Sequence, residues 1–324
     1  MSMIKTQDIM CFKEIINKNK SFFLTLHLTP DADACGSMLA LYDYLKSLGK
    51  KVDVYSKDPL PENLKFLPHS SVVKNSLKRK DYDVAVFFEC SVPSRSGIEV
   101  SNLNFKTSIS IDHHKTAKRY ADLNLLDFKS SSTAEIIWYI FKKMNVAINK
   151  KMAILLYSGI VTDTGRFHYP QTNPMTHIIS AELLRHKFNF NKINDNFFMK
   201  TTYQNLRLLA RAIESLIISK DGIAIMKISK KDFNDFKAGP QDSENIVNYP
   251  MMLKNIGVSV LIKEVNNTYS VAFRSNNGID VAKVAMAFGG GGHKNASGFK
   301  ISINRMEYNQ LVNAILREIR KNRK

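Results

Sequence analysis

The first half of the chain alternates short apolar runs with stretches of helical hydrophobic spacing. "FFLTLHL" (22–28) is apolar and closes on the polar turn "TPDADACGS"; "MLALYDYLKSLG" then places apolar residues three and four apart and stops at Gly49. "KVDVYS", "DVAVFFEC" (83–90) and "TSISI" (107–111) read as the next three strands. "SSTAEIIWYIFKKM" sets Ser132 three residues before Glu135, a capping-box pattern, and continues as an amphipathic helix. "KMAILLYSGIVTDTG" has the look of a buried helix, and Pro174 suits the first position of the helix in "TNPMTHIISAELLRHKF". Strands separated by helices predict a parallel sheet covered on both faces.

The pattern changes after about residue 188. "NKINDNFFMKTTYQNLRLLARAIESLI" reads as one long, polar-faced helix suited to linking two domains. A smaller unit follows, with a strand "GIAIMKIS" and helices around 231–256. In "VSVLIKEVNNTYSVAFRS" the pair Asn266-Asn267 divides two alternating runs, a hairpin signal. Helix "DVAKVAMAF", a loop "GGGGHKNASG", a short strand and a basic helix complete the chain. The expected architecture is α/β: a parallel-sheet domain over 1–188, a helical linker over 189–217, and a smaller α+β domain over 218–324.

Composition adds boundaries to this picture. With 324 residues, 44% hydrophobic and 23% charged, the chain is long enough for two globular domains. No apolar run reaches membrane-spanning length, and Cys11, Cys35 and Cys90 show no metal-type spacing, so a reduced, cytoplasmic setting without a membrane is expected. The formal charge of +18 invites a polyanionic partner, but the lysines are spread widely apart from "REIRKNRK". The charge therefore supports a phosphate-bearing ligand and says nothing of its length.

Ligands of open parallel sheets bind beyond the carboxyl ends of the strands. Those ends carry His27, Asp31 and Asp33 in "HLTPDAD", Glu89, and Asp112-His113-His114, and "LLYSGIVTDTGRF" delivers Asp163 near the end of its helix. Taken singly, each has a bland explanation: a turn or helix cap for Asp31 and Asp33, a core imidazole for His27, a turn for Asp163. Their coincidence at strand ends is what favours metal binding. Clustered carboxylates repel one another in a partly desolvated cleft, and divalent cations are the usual remedy. Carboxylate and imidazole without thiolate suit Mn²⁺, Mg²⁺ or Fe²⁺ better than structural zinc. The loop "FGGGGHKNASG" contributes exposed backbone amides at Gly290, Gly291 and Gly292 together with His293. It comes shortly after Arg274 and Ser275, a set suited to a phosphate or nucleotide.

In order, "HLTPDADACGS", "FFEC", "IDHH", "TDTGRF" and "GGGGHKNASG" resemble the motifs of the DHH phosphoesterases with a C-terminal DHH-associated domain, over residues 20–303. The size and two-domain plan are most similar to the oligoribonuclease/pAp phosphatase branch, the nanoRNases. The resemblance implies one metal held by His27, Asp31 and Glu89, and a second held by Asp33, Glu89, His113 and Asp163. Mn²⁺ is the first candidate and Mg²⁺ the second. It further implies a supporting role for Asp112, a catalytic His114 beside the scissile phosphate, and substrate contacts from Arg274, Ser275, Gly290, Gly291, Gly292 and His293. Glu89 stands where the family usually has Asp. The implied substrates are short RNA, including dinucleotides such as pGpG, and pAp, with a homodimer as the assembly to test. RecJ-type exonucleases usually carry an added nucleic-acid-binding domain for which this chain has no room. Family II pyrophosphatases differ after residue 200, and membrane-tethered cyclic-dinucleotide phosphodiesterases need segments absent here. From a different class, a nucleotide- or nucleic-acid-binding or regulatory module with a degenerate metal site is the alternative.

Overall fold

The computed structural model describes residues 4–77, 79–276 and 278–323, with the side chains of Val100 and His293 left aside. The chain divides into two compact units between Lys200 and Thr201.

The first unit begins with α1 (Thr6–Lys18), β1 (Ser21–Leu26), α2 (Ala32–Ser47), β2 (Lys51–Tyr55) and β3 (Val73–Lys74). It continues through β4 (Asp81–Phe88), β5 (Asn104–Asp112) and β6 (Leu123–Leu126) to α3 (Thr133–Met144), α4 (Lys150–Asp163), α5 (Pro174–Leu184) and α6 (Phe190–Asn194). Its six strands lie in the order β3-β2-β1-β4-β5-β6, every neighbouring pair parallel. Connections run outward from β1 in one direction and from β4 in the other, so the order reverses between β1 and β4, and the carboxyl ends of such neighbouring strands are where open α/β sheets bind ligands.

The two sheet faces differ. Phe22, Leu24 and Leu26 of β1, Val84, Val86 and Phe88 of β4, and Ile109 and Ile111 of β5 pack into a large core with α1 to α5. The alternate residues Phe23, Ala85 and Phe87 face a small aromatic cluster with Tyr55, Tyr82, Cys90 and Leu103. The expected covering holds, but helices form the large layer on one face only. Ser132 Oγ accepts from the Glu135 amide at 3.1 Å, and Pro174 is the first residue of α5, both as the sequence indicates. The Glu135 carboxylate does not reach back to Ser132. It is buried and accepts from Ser131 and from Thr176 Oγ1 of α5. Two short strands, β3 and β6, escaped sequence reading because they are too brief to show a period.

The long linker helix is the main correction. The segment breaks into α6, a π-turn at Asp195–Met199, an extended Lys200, and a new helix, α7 (Tyr203–Glu214), capped by Thr202 Oγ1 on the Asn205 amide at 2.9 Å. Leu208 and Ala212 of α7 are fully buried against Met226, Ile228 and Leu261, so α7 belongs to the second core.

The second unit continues with β7 (Ile217–Ile218), β8 (Ile223–Ile228), α8 (Lys230–Asp235), β9 (Val258–Val265), β10 (Thr268–Ser275), α9 (Val281–Met286), β11 (Gly291–His293), β12 (Ala296–Ser302) and α10 (Tyr308–Lys321). The sheet order is β11-β12-β10-β9-β8-β7, parallel between β8 and β9 and otherwise antiparallel. Asn266 and Asn267, both with positive φ, make the hairpin turn between β9 and β10. Helices α9 and α10 cover one face and α7 and α8 the other.

Asp83 ties the start of the first sheet together. Its carboxylate accepts from Lys106 Nζ at 2.8 Å, from the Lys20 and Ser21 amides at 3.0 and 2.9 Å, and from Ser21 Oγ at 3.0 Å. The Lys106 ammonium, then those amides, hold its carboxyl well below the usual carboxylate range. A folded-state pKa below the unfolded value stabilises the protein above pH ~3.9 and is lost as pH falls through and below that value. Asp83→Asn should therefore cost about 1 kcal/mol at pH 7, roughly 2–4 °C in Tm, discounted for solvent access. The gap from wild type should close toward pH 3 in a pH series of melts; a pH-independent gap would mean that the charge is not what stabilises the strand ends.

Candidate metal centre at the sheet switch point

His27 follows β1 directly and lies 8% exposed. Its Nδ1–H donates to the Leu28 carbonyl at 2.7 Å, which leaves Nε2 toward Asp31 Oδ2 at 3.3 Å and Glu89 Oε2 at 3.8 Å. Asp31 caps α2, accepting from the Ala34 amide at 2.9 Å. The helix-cap explanation is thus correct for Asp31, and the same carboxylate still has an oxygen facing His27.

Asp33, in the first turn of α2, is buried, and it is held from another helix. Its Oδ2 accepts from the Thr133 amide at 2.6 Å and its Oδ1 from the Ala134 amide at 2.8 Å, at the amino end of α3. Free N–H groups and the positive end of the helix dipole favour a carboxylate there. A Cβ on Gly159 of α4 would lie 2.6 Å from Asp33 Oδ1, so glycine is required where α4 passes this carboxylate. Asp163 is placed in the opposite sense, as the last residue of α4, where the helix dipole disfavours negative charge. His113 Nε2 lies between the two, 3.9 Å from Asp33 Oδ2 and 3.5 Å from Asp163 Oδ2.

Glu89 follows β4 with φ of 53°, a left-handed backbone that costs a non-glycine residue on the order of 1 kcal/mol. The bond from its amide to the Ile111 carbonyl at 3.0 Å holds that conformation against β5. Its side chain is buried. Burial first, then the Asp33, Asp31 and Asp163 charges, push its carboxyl well above the ordinary range. Burial first, then Asp33 and Asp31, do the same to Asp163, and burial raises Asp33. At His27 burial opposes the charged form but the Asp31 carboxylate outweighs it, raising the pKa.

Donor atoms converge in three groups, each within 4.8 Å: His27, Asp31 and Glu89; Asp33, His113 and Asp163; and Glu89, His113 and His114. Glu89 and His113 each belong to two of them. Glu89 Oε1, His113 Nε2 and Asp163 Oδ2 are buried without a hydrogen-bond partner among the described residues. Inward-facing lone pairs on oxygen and imidazole, with no donor to meet them, fit divalent cations, which would also offset the burial and mutual repulsion that raise the Glu89 and Asp163 pKa values.

Asp112 stands outside these groups. Its Oδ1 accepts from both the His114 amide and His114 Nδ1, each at 2.8 Å, which fixes the proton on Nδ1 and orients the ring. In the second unit Arg274 Nη1 donates to the Phe273 carbonyl at 2.9 Å, and Ser275 Oγ donates to the Ile279 carbonyl at 2.7 Å. The glycine-rich segment is not an open loop: β11 pairs with β12. A Cβ on Gly290 would lie 2.3 Å from the Gly298 carbonyl oxygen, and Gly292 has φ of 140° with the Ala296 oxygen 2.6 Å from a built Cβ. Gly291 has open space on that side. Backbone register places Arg274, Ala296 and His293 in one row across three strands; the His293 side chain lies outside the described residues.

Several contributors had no sequence signal. The Thr133 and Ala134 amides and Gly159 become relevant only through packing across about a hundred residues of sequence, and Gln171 Nε2 donates to the Asp163 carbonyl at 2.8 Å from a polar turn.

Residues 21–160 match the DHH family, N-terminal domain, and residues 220–321 match the DHHA1 domain. A protein of Streptococcus mutans named "Probable bifunctional oligoribonuclease and PAP phosphatase NrnA" is 31% identical over 315 residues, covering 94% of this chain and 99% of that one. The "Bifunctional oligoribonuclease and PAP phosphatase NrnA" of Thermus thermophilus is 27% identical, covering 92% and 89%. An exopolyphosphatase-related protein from Bacteroides fragilis has the same fold at a TM-score of 0.92 and 26% identity, covering 99% of this chain and 98% of its own. The fold and the strand-end site define a two-domain phosphoesterase. The chain belongs to the DHH/DHHA1 family, with NrnA proteins among its relatives.

If the converging donors hold cations, millimolar Mn²⁺ should raise Tm by several degrees, since a ligand at 100 times its Kd adds about 2.7 kcal/mol. Asp163→Ala should lose most of that rise. An equal rise in the variant would place the bound Mn²⁺ elsewhere.

Proposed function

We propose that this chain is a divalent-cation-dependent phosphodiesterase that hydrolyses short oligoribonucleotides, dinucleotides such as pGpG included, to mononucleotides, and also converts pAp to AMP. The observation that carries the proposal is the convergence of two donor triads, joined through Glu89 and His113, beside an imidazole that Asp112 orients. The names of the relatives support the substrate class.

Two cations, Mn²⁺ first and Mg²⁺ second, would be held by His27, Asp31 and Glu89 and by Asp33, His113, Asp163 and Glu89; when bound, they supply Lewis acidity and a water acidic enough to act as nucleophile near neutral pH. The chain's own residues do the rest. Asp33 is fixed by two α3 amides, so the donor set is assembled before substrate arrives. The Leu28 carbonyl sets the His27 tautomer. Asp112 orients the ring of His114, whose Nε2–H would protonate the leaving ribose oxygen as the bond from phosphorus to that oxygen breaks and the water oxygen becomes bonded to phosphorus. Arg274, with the adjoining Ser275 and the Gly290–Gly292 backbone, is assigned to a substrate phosphate. Here guanidinium geometry supports the reading for Arg274, while Ser275 retains only its acceptor lone pairs for a ligand.

With Mn²⁺ and end-labelled RNA of two, five and twenty nucleotides, the dinucleotide should be consumed fastest and the twenty-mer should lag far behind. The pAp reaction run in parallel decides bifunctionality. Asp163→Ala should lower kcat by at least ~100-fold, more than is usual for residues that merely support a ligand. Processive loss of the twenty-mer would favour a RecJ-like exonuclease, and no turnover of any nucleotide would favour a binding module.

Arg274→Ala should raise KM roughly 10- to 100-fold with kcat little changed, the signature of lost uniform binding by a charged hydrogen bond. An unchanged KM would remove Arg274 from the substrate site.

A further inference from the structure

Behind the metal centre, on the face of the sheet away from the helical layer, lies a polar group that the chemistry above does not use. Asp112 Oδ1 is committed to His114, but Asp112 Oδ2 is buried with no hydrogen-bond partner among the described residues. The same holds for Ser110 Oγ, two residues back along β5, and for Tyr120 Oη. A buried carboxylate oxygen without a donor costs several kcal/mol, so its donor has to be found.

The geometry narrows the choice. Ile109 and Ile111 face the helical core, so Ser110 and Asp112 share the opposite face. Ser110 pairs with Asn124 in β6, and Asn124 Oδ1 accepts from the Tyr120 and Ala121 amides at 3.1 and 3.2 Å. That bond pins the segment carrying Tyr120 at the position of Ser110. The Tyr120 ring stands edge-on to Phe87, at 6.0 Å between centroids, which aims the ring into the same cluster. Cys90 is fully buried there too, its Sγ donating to the Phe88 carbonyl at 3.5 Å. Burial first, with the Asp112 and Cys90 charges contributing and Ser110 offsetting them, raises the Tyr120 pKa, so its hydroxyl stays a proton donor at any physiological pH.

Tyr120 lies near enough to Ser110 and Asp112 for the Ser110 hydroxyl and the Asp112 charge to shift its pKa. Three buried oxygens so placed, none completing a well-formed hydrogen bond among the described residues, are what a single trapped water satisfies, since such waters typically make about three bonds to buried polar groups. We propose that Tyr120 is a positioning residue: its hydroxyl, through an ordered water shared with Ser110, supplies the donor for Asp112 Oδ2 and so holds Asp112 in the rotamer that orients His114. The chain of contacts is Tyr120, water, Asp112, His114. It rests on the proposed role of His114 for its kinetic consequence, but not for its structural one.

The test uses Tyr120→Phe in the full chain, which keeps the ring contact with Phe87 and removes only the hydroxyl. A high-resolution crystal structure of the wild type should show a water within 3.2 Å of Tyr120 Oη and Asp112 Oδ2, lost or displaced in the variant, with Tm close to wild type. Turnover of a dinucleotide should fall about 10-fold in kcat with KM unchanged, the effect expected of an outer residue acting through another. In an Asp112→Asn background, Tyr120→Phe should change kcat by less than 2-fold, because a residue that acts through Asp112 has nothing left to position. A dry site in the wild type, an unchanged kcat in the single variant, or full additivity in the double variant would each overturn the proposal. If the wild type turns over no nucleotide, the phosphodiesterase reading fails by itself, and the water and the Asp112 rotamer still decide the structural claim.

Discussion

The carboxylate of Asp33 is the contact on which the first unit depends. It starts on α2, fills the amino end of α3 with bonds to the Thr133 and Ala134 amides, and presses against Gly159 of α4. One buried charge thereby sets the relative positions of three helices, and those helices form the large layer over the sheet. A charge removed from water this thoroughly is tolerated only because the helix terminus supplies donors that have no other partner. The same bonds prevent Asp33 from rotating away from Asp163 and His113. Folding and assembly of the candidate site are coupled here, since the Thr133 and Ala134 amides at the start of α3 are satisfied by the same carboxylate that faces His113.

The remaining acidic residues show the opposite economy. Asp163 ends a helix whose dipole repels it, Glu89 has a left-handed backbone, and each, Glu89 buried and Asp163 half-buried, has a buried oxygen that meets no donor among the described residues. Each feature is destabilising taken alone, and all of them converge at the switch point of the sheet. Stability gives no reason to gather them; a cation does. Asp33 is fixed by the protein's own amides, while buried oxygens of Glu89 and Asp163 meet no donor among the described residues, and that contrast is what a cation-binding reading of the site explains.

Much of this was legible in the sequence because strand ends are legible. Alternating apolar runs that break at His27, Glu89 and Asp112 give both the parallel sheet and the edge at which chemistry gathers, and the helix ending at Asp163 is long and strongly apolar. The features that were not legible arise from contacts remote in sequence or from backbone geometry. Nothing in "SSTAE" shows that its amides would hold Asp33 from a hundred residues away. The break at Lys200–Thr202 was hidden because residues on either side keep helical spacing, and only burial of Leu208 and Ala212 shows α7 joining the second core. The glycines after α9 suggest an open, anion-binding loop, yet Gly290 is required by the closeness of β12 and Gly292 by its positive φ. A glycine run reports close approach without saying whether a ligand or another strand is what approaches.

That distinction bears on how the second unit would recognise a phosphate. With β11 paired to β12, the amides of the glycine segment are partly committed to a neighbouring strand, so a loose cradle of free N–H groups is not what the fold offers. What the pairing provides is register: Arg274 and His293 fall in one row of adjacent strands, fixed by the hydrogen-bond ladder rather than by a flexible turn. A guanidinium on a central strand has its backbone position decided by the sheet, and on the proposed reading such a planar fork would select for a phosphate at one location along a substrate rather than for negative charge in general. The stacked rings of Phe288 and Phe299, 4.5 Å apart, tie the end of α9 to β12 behind that row. In the second unit, then, rigidity comes from strand pairing and ring stacking, while in the first it comes from a carboxylate sealed into a helix end.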